Sequence, residues 1–289
     1  MEQILANGLY LGAQYALIAL GLTLIFSLMN VLNFAHGQMY VFGGFVTYTV
    51  VAQFGLPFVV GLLLSGAILA VIGALIEKFL FRPVIRKSKR EESTMLLAAG
   101  VAFFLDAVIL LAFGEKQRGI PKIVDGVMNL NFRLIMPYDR IMVAVLAVAA
   151  IIGFILYMQY SKPGRAMRAL AQDRVAAQLM GVDVDRYSML GFAFGAMLAG
   201  VVGGLLVAIT GVNLGMGGPT SIKAFMMIMI GGAGVISGAI AGGFILGMME
   251  SVGLSVLAAY GNITYLVIFA SLLIFLAIRP QGLMGKPWG

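Results

Sequence analysis

The sequence contains no cysteine and only one histidine, His36, among its 289 residues. It therefore forms no disulfide and offers no thiolate to a metal or a substrate. No cluster of residues has the spacing of metal ligands, and the Gly-x-Ser-x-Gly turn of hydrolases is absent. The phosphate-binding loop Gly-x-x-x-x-Gly-Lys-Ser/Thr is also missing. These absences predict a chain that is not an enzyme, holds no cofactor or metal, and does not bind ATP by that loop.

Charge is equally scarce. Only 11% of the residues are charged and 61% are hydrophobic, with a mean hydropathy of +1.03. Soluble domains carry about 25% charged residues, so much of this surface must face lipid. The net charge of +7 comes mainly from basic residues between apolar segments. Such a distribution is typical of membrane topology signals and not of nucleic-acid binding, so no nucleic-acid partner is predicted.

Continuous apolar runs indicate membrane helices and not a β-barrel, whose strands would alternate apolar and polar residues. A spanning helix needs roughly 20 apolar residues. The sequence predicts an all-α, polytopic helical bundle of one domain over residues 1–289, with eight or nine membrane segments. The apolar segments are Leu5–Leu28, Met39–Gln53, Leu56–Ile76, Thr94–Phe113, Ile141–Tyr160, Ser188–Ile209, the short Ile222–Gly232, Ile236–Ala259 and Ile263–Ile278.

Three basic regions set the expected orientation, because positively charged loops remain in the cytoplasm. They predict a cytoplasmic C-terminus, an outer N-terminus and an outer loop over Gly114–Asp139. The basic residues are Arg82, Arg86, Lys87, Lys89 and Arg90 in the first loop, Lys162, Arg165, Arg168, Arg174 and Arg186 in the second, and Arg279 and Lys286 in the tail.

A polar stretch that contains Asn33, His36 and Gln38 interrupts the first apolar region. Polar groups at membrane depth need partners or water. One interpretation is a turn or gate near the inner face. The other is a broken helix whose side chains contact the substrate in a conduit.

Two ionisable residues, Lys223 and Glu250, are nearly isolated in apolar sequence, and Asp106 is similar. Such groups pair with each other or line a cavity. The pattern favours a structural ion pair and leaves a place in the transport path open. The stretch from Asn213 to Lys223 is rich in glycine and predicts irregular backbone that either shapes an outer vestibule or is a plain loop.

The second basic region predicts a short helix between Pro163, which suits a helix start, and Gly181, which suits a helix stop. Its apolar side chains are Ala166, Ala169, Leu170, Ala177 and Met180. An amphipathic helix in a loop between spanning segments is expected to dock on a partner subunit; the alternative is a helix lying on the membrane surface.

Together, these stretches resemble the LivH-type permeases of the branched-chain, or hydrophobic, amino acid ABC importers. The resemblance covers essentially the whole chain. The blocks that carry it are Tyr15–Ala19 with Asn33–Gly37, Glu77–Pro83, Ser161–Gly181, Gly215–Glu250 and Arg279–Leu283.

The resemblance implies a permease that forms half of a translocation path in a bacterial inner membrane. The implied partners are a second homologous permease of the LivM type, two cytoplasmic ATP-binding subunits, and a periplasmic or lipid-anchored substrate-binding protein. It also implies that the loop 161–187 holds a coupling helix, with the ATPase-coupling residues Ser161, Gly164, Arg165, Arg168, Ala169, Asp173, Leu179 and Gly181.

The implied substrate is a branched-chain or other small hydrophobic amino acid. Urea, short amides and aromatic acids are alternatives within the same architecture. A self-sufficient secondary transporter is the alternative of a different class, and it would need buried acids for energy coupling, for which only Asp106 and Glu250 are available. The residues expected to line the substrate path or gate are Asn33, His36, Gln38, Asn213, Lys223 and Glu250.

Overall fold

The computed structural model describes residues 1–88, 91–130, 134–256 and 263–285. Lys89, Arg90, Lys286 and the predicted segment end at Ala259 lie outside these residues. The helices are α1 (Glu2–Met29), α2 (His36–Tyr48), α3 (Phe58–Ile76), α4 (Arg82–Lys87), α5 (Glu91–Phe113), α6 (Tyr138–Tyr160), α7 (Lys162–Gln172), α8 (Arg174–Leu179), α9 (Val184–Val207), α10 (Gly217–Gly231), α11 (Ile236–Val256) and α12 (Ile263–Ile278).

The prediction of a helical, polytopic membrane protein is confirmed. Within the described residues, six helices are long and apolar enough to cross a membrane: α1, the run Phe58–Lys87, α5, α6, α9 and α11. The other apolar helices, α2, α10 and α12, are shorter. A π-helical turn, Thr49–Gln53, lengthens α2, and a second one, Glu77–Phe81, joins α3 to α4 without a break.

Helix α1 lies at the centre of the bundle and packs against α11 along a glycine-lined contact. A β-carbon at Gly243 would lie 2.3 Å from the backbone nitrogen of Ala16, and one at Gly247 would lie 2.4 Å from that of Gly12. Only glycine permits the two helices to approach so closely. The resulting van der Waals packing holds them together in lipid, where the hydrophobic effect does not drive helices to associate. Near the start of α1, the Ser251 hydroxyl donates to the Ile4 carbonyl at 2.7 Å, so the two helices run antiparallel.

Helix α9 packs against α1, α2 and α3 in the same way. Ser65 on α3 is fully buried, and its hydroxyl lies 2.9 Å from the Gly43 carbonyl oxygen and 2.8 Å from that of Gly200. One hydroxyl therefore ties three helices together.

One sequence prediction is corrected here. Arg82, Arg86 and Lys87 of the first basic region do not lie in a loop, since they belong to α4, a helical continuation of α3. The connection between α5 and α6, predicted as a loop, contains an antiparallel hairpin of β1 (Val127–Leu130) and β2 (Leu134–Pro137).

Candidate functional site

The polar stretch after α1 carries the chain back into the bundle. Helix α1 ends at Asn30, which adopts the left-handed conformation with a φ of 53°. Helix α2 then begins at His36, whose Nε2 donates to the Ile18 carbonyl at 3.2 Å. Because Ile18 lies in the middle of α1, α2 starts at mid-depth in the bundle. The polar stretch therefore leads into a helix, α2, that begins inside the bundle.

Helix α10 also begins inside the bundle, and its first turn meets that of α2. The Ser221 hydroxyl accepts a hydrogen bond from the Gly37 amide and donates one to the Phe34 carbonyl, both at 3.0 Å. Gly217 lies directly against the Gln38 side chain. The prediction of irregular backbone up to Lys223 is corrected accordingly, because α10 starts at Gly217. Discontinuous helices of this kind mark substrate sites in many transporters.

A side-chain pair supports this junction from α5. Gln38 donates from Nε2 to Asp106 Oδ2 at 3.1 Å. Gln38 Oε1 and Asp106 Oδ1 are both buried and have no hydrogen-bond partner among the described residues. Asn33 is fully buried and accepts from the Ala35 amide at 3.1 Å. Asn33, His36 and Gln38 thus build the junction between the helices.

Beside the junction lies a cavity of about 910 Å³. It occupies the half of the bundle that contains the beginning of α1 and the ends of α9 and α11. Its polar lining residues are Asn7, Tyr10, Gln14, Tyr15, Tyr40, Arg140, Thr210, Asn213, Thr220, Lys223, Ser251, Ser255 and Tyr265. The remainder of the wall is largely apolar, which is the usual composition of a small-molecule site.

The polar centre of the cavity is an ion pair between Lys223 on α10 and Glu250 on α11. Lys223 Nζ lies 2.8 Å from Glu250 Oε1 and donates to the Tyr15 hydroxyl at 2.8 Å. The Tyr15 and Tyr265 hydroxyls donate to the two Glu250 oxygens at 2.5 and 3.0 Å. The Lys223 side chain is 24% exposed and that of Glu250 only 6%. The cation therefore faces the cavity and its counter-ion lies behind it.

The structure separates the six predicted path residues into two groups. Asn213 and Lys223 line the cavity, and Glu250 supports Lys223 from behind. Asn33, His36 and Gln38 are not among the lining residues. Sequence reasoning missed Tyr15, Tyr265, Gln14 and Arg140. Their only signal is a polar group within or beside an apolar run, which is common in membrane helices.

A second candidate surface is formed by α7 and α8. Ser161 caps α7 by accepting from the Gly164 amide at 2.9 Å. The Asp173 backbone is extended, and the side-chain Oδ1 accepts hydrogen bonds from the Val175 and Ala176 amides, each at 2.9 Å. This Asp173 cap begins a new helix, so the single helix predicted between Pro163 and Gly181 is in fact two.

The predicted apolar face is also divided. Met167, Leu170 and Ala177 are buried against the bundle. Three neighbouring apolar side chains instead face outward, namely Val175, Leu179 and Met180, and Leu179 and Met180 are 82% and 84% exposed. The exposed residues among those predicted for coupling are Arg165, Arg168, Ala169, Asp173, Leu179 and Gly181, whereas Gly164 is buried.

The cavity and the α7–α8 surface lie at opposite ends of α6. Arg140, in the first turn of α6, lines the cavity, and Ser161 follows the last turn. Twenty residues of α-helix extend about 30 Å, so the two regions are separated by roughly the thickness of a bilayer core. A change at one surface must reach the other through the packed helices.

The fold is similar to that of a chain in the complex "PsaBC from Streptococcus pneumoniae in complex with Fab". The TM-score is 0.50, with 14% sequence identity, over 95% of this chain and 91% of that chain. At this identity the similarity concerns the fold alone.

Sequence relatives are closer. The chain is 34% identical to the high-affinity branched-chain amino acid transport system permease protein LivH of Salmonella typhimurium, over 99% of this chain and 96% of the relative. It is 33% identical to the corresponding permease protein BraD of Pseudomonas aeruginosa, with the same coverage. The profile of the family described as "Branched-chain amino acid transport system / permease component" matches residues 4–276. The chain therefore belongs to this family of membrane permeases, the permease components of branched-chain amino acid transport systems.

Proposed function

We propose that this chain is the transmembrane permease subunit of an ATP-driven, binding-protein-dependent ABC importer and forms half of the translocation path. The observation that carries the proposal is the 33–34% identity to LivH and BraD permeases over 99% of the chain. The substrate is a branched-chain or other small hydrophobic amino acid, as the names of these relatives indicate. No ATP is hydrolysed by this chain itself.

The proposed assembly contains a second, LivM-type permease, two ATP-binding subunits and a periplasmic or lipid-anchored binding protein. The chain forms one permease domain over residues 1–289 in a bacterial inner membrane. Counting α2, α10 and α12 as membrane segments gives nine. An odd number agrees with the opposite orientation of the two ends that the basic residues suggest, with the N-terminus outside and the C-terminus in the cytoplasm.

In this orientation the α7–α8 surface faces the cytoplasm and the cavity faces the outer side. The loop 161–187 then receives the ATP-binding subunit on exposed Leu179 and Met180, with Arg165 and Arg168 at the rim. Closure of the ATP-binding subunits moves α7 and α8, and α6 and α9 transmit the movement to the cavity. The binding protein delivers its solute to the opposite end.

Urea and short amides are less well supported than amino acids, since a cavity with Lys223 and Arg140 in its wall suits a carboxylate. A secondary transporter is not favoured either. It would need a pathway acid, and Glu250 is engaged by Lys223 and two tyrosines.

The proposal is tested by isolating the tagged chain in mild detergent and assaying the preparation for ATP hydrolysis and for uptake in proteoliposomes. We expect an ATPase to co-purify and its activity to rise with the liganded binding protein. A chain that purifies without ATPase and still transports solute would overturn the importer assignment and support a secondary transporter.

A further inference from the structure

The charged side chains in the cavity wall are all of one sign. Within the described part of the chain, the charged side chains that line the cavity are Arg140 and Lys223, both cations, and no carboxylate lines it. Glu250 lies behind Lys223 and is nearly inaccessible. A solute that enters therefore meets positive charge first.

Lys223 is not the only donor to Glu250. Glu250 receives hydrogen bonds from both Tyr15 and Tyr265 as well as from Lys223. If the ammonium group turns toward an incoming carboxylate, the Glu250 oxygens keep their tyrosine donors. An unpaired buried carboxylate is unfavourable, and this cost usually keeps a buried ion pair intact. The two tyrosine hydrogen bonds reduce the cost here.

A further donor in the cavity wall is poorly satisfied. Gln14 lines the same cavity and is 4% exposed. Its side chain lies beside the Tyr10 hydroxyl, but its Nε2 forms no well-aligned hydrogen bond with any described residue. Buried donors are almost always satisfied, so a poorly satisfied one that lines a cavity indicates a ligand or water acceptor.

The rest of the wall is largely apolar and is supplied by several helices. The apolar lining residues are Leu11, Ile18, Leu206, Ile209, Met216, Met227 and Leu254. Methionine adapts to side chains of different shape, which suits a site that accepts several related apolar groups.

We propose that the cavity binds a small solute with a carboxylate and an apolar side chain, and that Lys223 receives the carboxylate with Gln14 as an additional donor. The inference rests on the proposed function and adds to it the group by which the permease itself recognises the solute. Lys223 is then a specificity-determining residue, which is a role beyond pairing with Glu250. A neutral amide or urea would leave the cation without an anion and would bind more weakly.

The absence of cysteine from the chain allows a direct binding measurement. Thr220→Cys places a thiol in the cavity wall, and Lys116→Cys places one in the exposed loop between α5 and α6 as the control. The complex in lipid nanodiscs is labelled with a methanethiosulfonate reagent, and the modification of this chain is followed by mass spectrometry. Three probes are compared: leucine, 4-methylpentanoate, which lacks the amino group, and leucinamide, which lacks the carboxylate.

We expect leucine and 4-methylpentanoate to slow labelling at Thr220→Cys, and leucinamide to need a concentration about tenfold or more higher, because a charge-assisted hydrogen bond is lost. No probe should protect Lys116→Cys. In the Thr220→Cys background, Lys223→Met should abolish the preference for a carboxylate, whereas Lys223→Arg should retain it. Lys78→Met removes a lysine from the π-helical turn Glu77–Phe81 and is the matched control.

Equal protection by leucinamide in the unsubstituted Lys223 background would overturn the inference, and this comparison does not depend on the folding of a Lys223 variant. Absence of protection by every probe would overturn it as well. Uptake by the same preparation distinguishes failure of this inference from failure of the proposed function. Normal binding-protein-dependent uptake without carboxylate-selective protection refutes the cavity assignment alone. Absence of ATP-driven uptake by the parent chain refutes the importer function itself.

Discussion

Tyr40 on α2 and Gly203 on α9 bring two helix backbones into contact, since a β-carbon at Gly203 would lie 1.8 Å from the Tyr40 carbonyl oxygen. Backbone atoms cannot move aside as a flexible side chain would, so Gly203→Ala must separate the two helices. We expect a destabilisation of about 1–3 kcal/mol, the usual cost of overpacking. The matched control is Gly153→Ala on α6, where no atom of the described residues lies within 4 Å of the added carbon.

The measurement is the thermal midpoint of the purified protein in detergent, read by size-exclusion chromatography after heating. Gly153→Ala should leave the midpoint unchanged or raise it slightly, because alanine favours helix by about 1 kcal/mol over glycine. Equal midpoints for the two variants would show that α2 and α9 are not in backbone contact.

The ion pair between Glu77 and Arg82 predicts an asymmetric response to mutation. Arg82 donates from Nε and from a terminal nitrogen to the two Glu77 oxygens at 3.2 and 2.6 Å. Glu77 is 2% exposed, whereas Arg82 is 20% exposed and also donates to the Asp185 carbonyl. Arg82→Ala leaves a buried carboxylate unpaired and should cost about 3 kcal/mol.

Glu77→Gln keeps an acceptor for the guanidinium and leaves only the partly exposed cation without its counter-ion. We expect a cost of about 1 kcal/mol, close to that of one hydrogen bond. Thermal midpoints of the two variants measure the difference. A larger loss for Glu77→Gln than for Arg82→Ala would mean that the carboxylate is not the buried partner.

The pair of Gln38 and Asp106 predicts that an amide fits this position as well as an acid. Asp106 Oδ1 and Gln38 Oε1 are two acceptors that receive no hydrogen bond from the part of the chain that the structure describes. Asp106→Asn replaces one carboxylate oxygen by an NH2 donor in a side chain of nearly the same shape, and it removes a charge that is costly in a membrane. The thermal midpoint of Asp106→Asn should equal or exceed that of the parent. Asp106→Ala should lower the midpoint, with a loss of about 1–3 kcal/mol in the free energy of unfolding, because the Gln38 donor loses its acceptor.

Sequence patterns predicted the apolar helices because their signal is local. Helix α12 begins and ends at Ile263 and Ile278, as the apolar run does. The start of α10 was missed because Gly217, Gly218 and Pro219 are typical of a loop in water. Proline is in fact common in the first turn of a helix, where its missing N–H group has no helical acceptor to lose.

The cavity depends on contacts that no local pattern contains. Lys223 and Glu250 were identified because ionisable residues in lipid require partners. Tyr15, which donates to Glu250, is 235 positions away in the chain. Only the close packing of α1 against α11 brings this hydroxyl to the ion pair, and that packing depends on glycines whose individual roles sequence does not reveal.

The last prediction concerns the α7–α8 surface. Gly164 is unsuitable for testing coupling, because a β-carbon there would lie 2.5 Å from the Tyr157 carbonyl oxygen and would displace α7 from α6. Leu179 is 82% exposed, so a substitution there leaves the bundle intact. Leu179→Glu places a charge where the ATP-binding subunit is proposed to bury an apolar group, and this is costly at an interface.

We expect Leu179→Glu to insert and to keep its thermal midpoint, but to lose most of the co-purifying ATPase and binding-protein-dependent uptake. Gln178→Glu is the matched control, since it introduces the same side chain at the adjacent exposed position and should retain both activities. If Leu179→Glu instead supports normal uptake with a full complement of ATPase, α8 does not contribute an apolar contact to the partner. Coupling would then have to be sought on the exposed arginines of α7, where Arg165→Glu and Arg168→Glu would be the decisive variants.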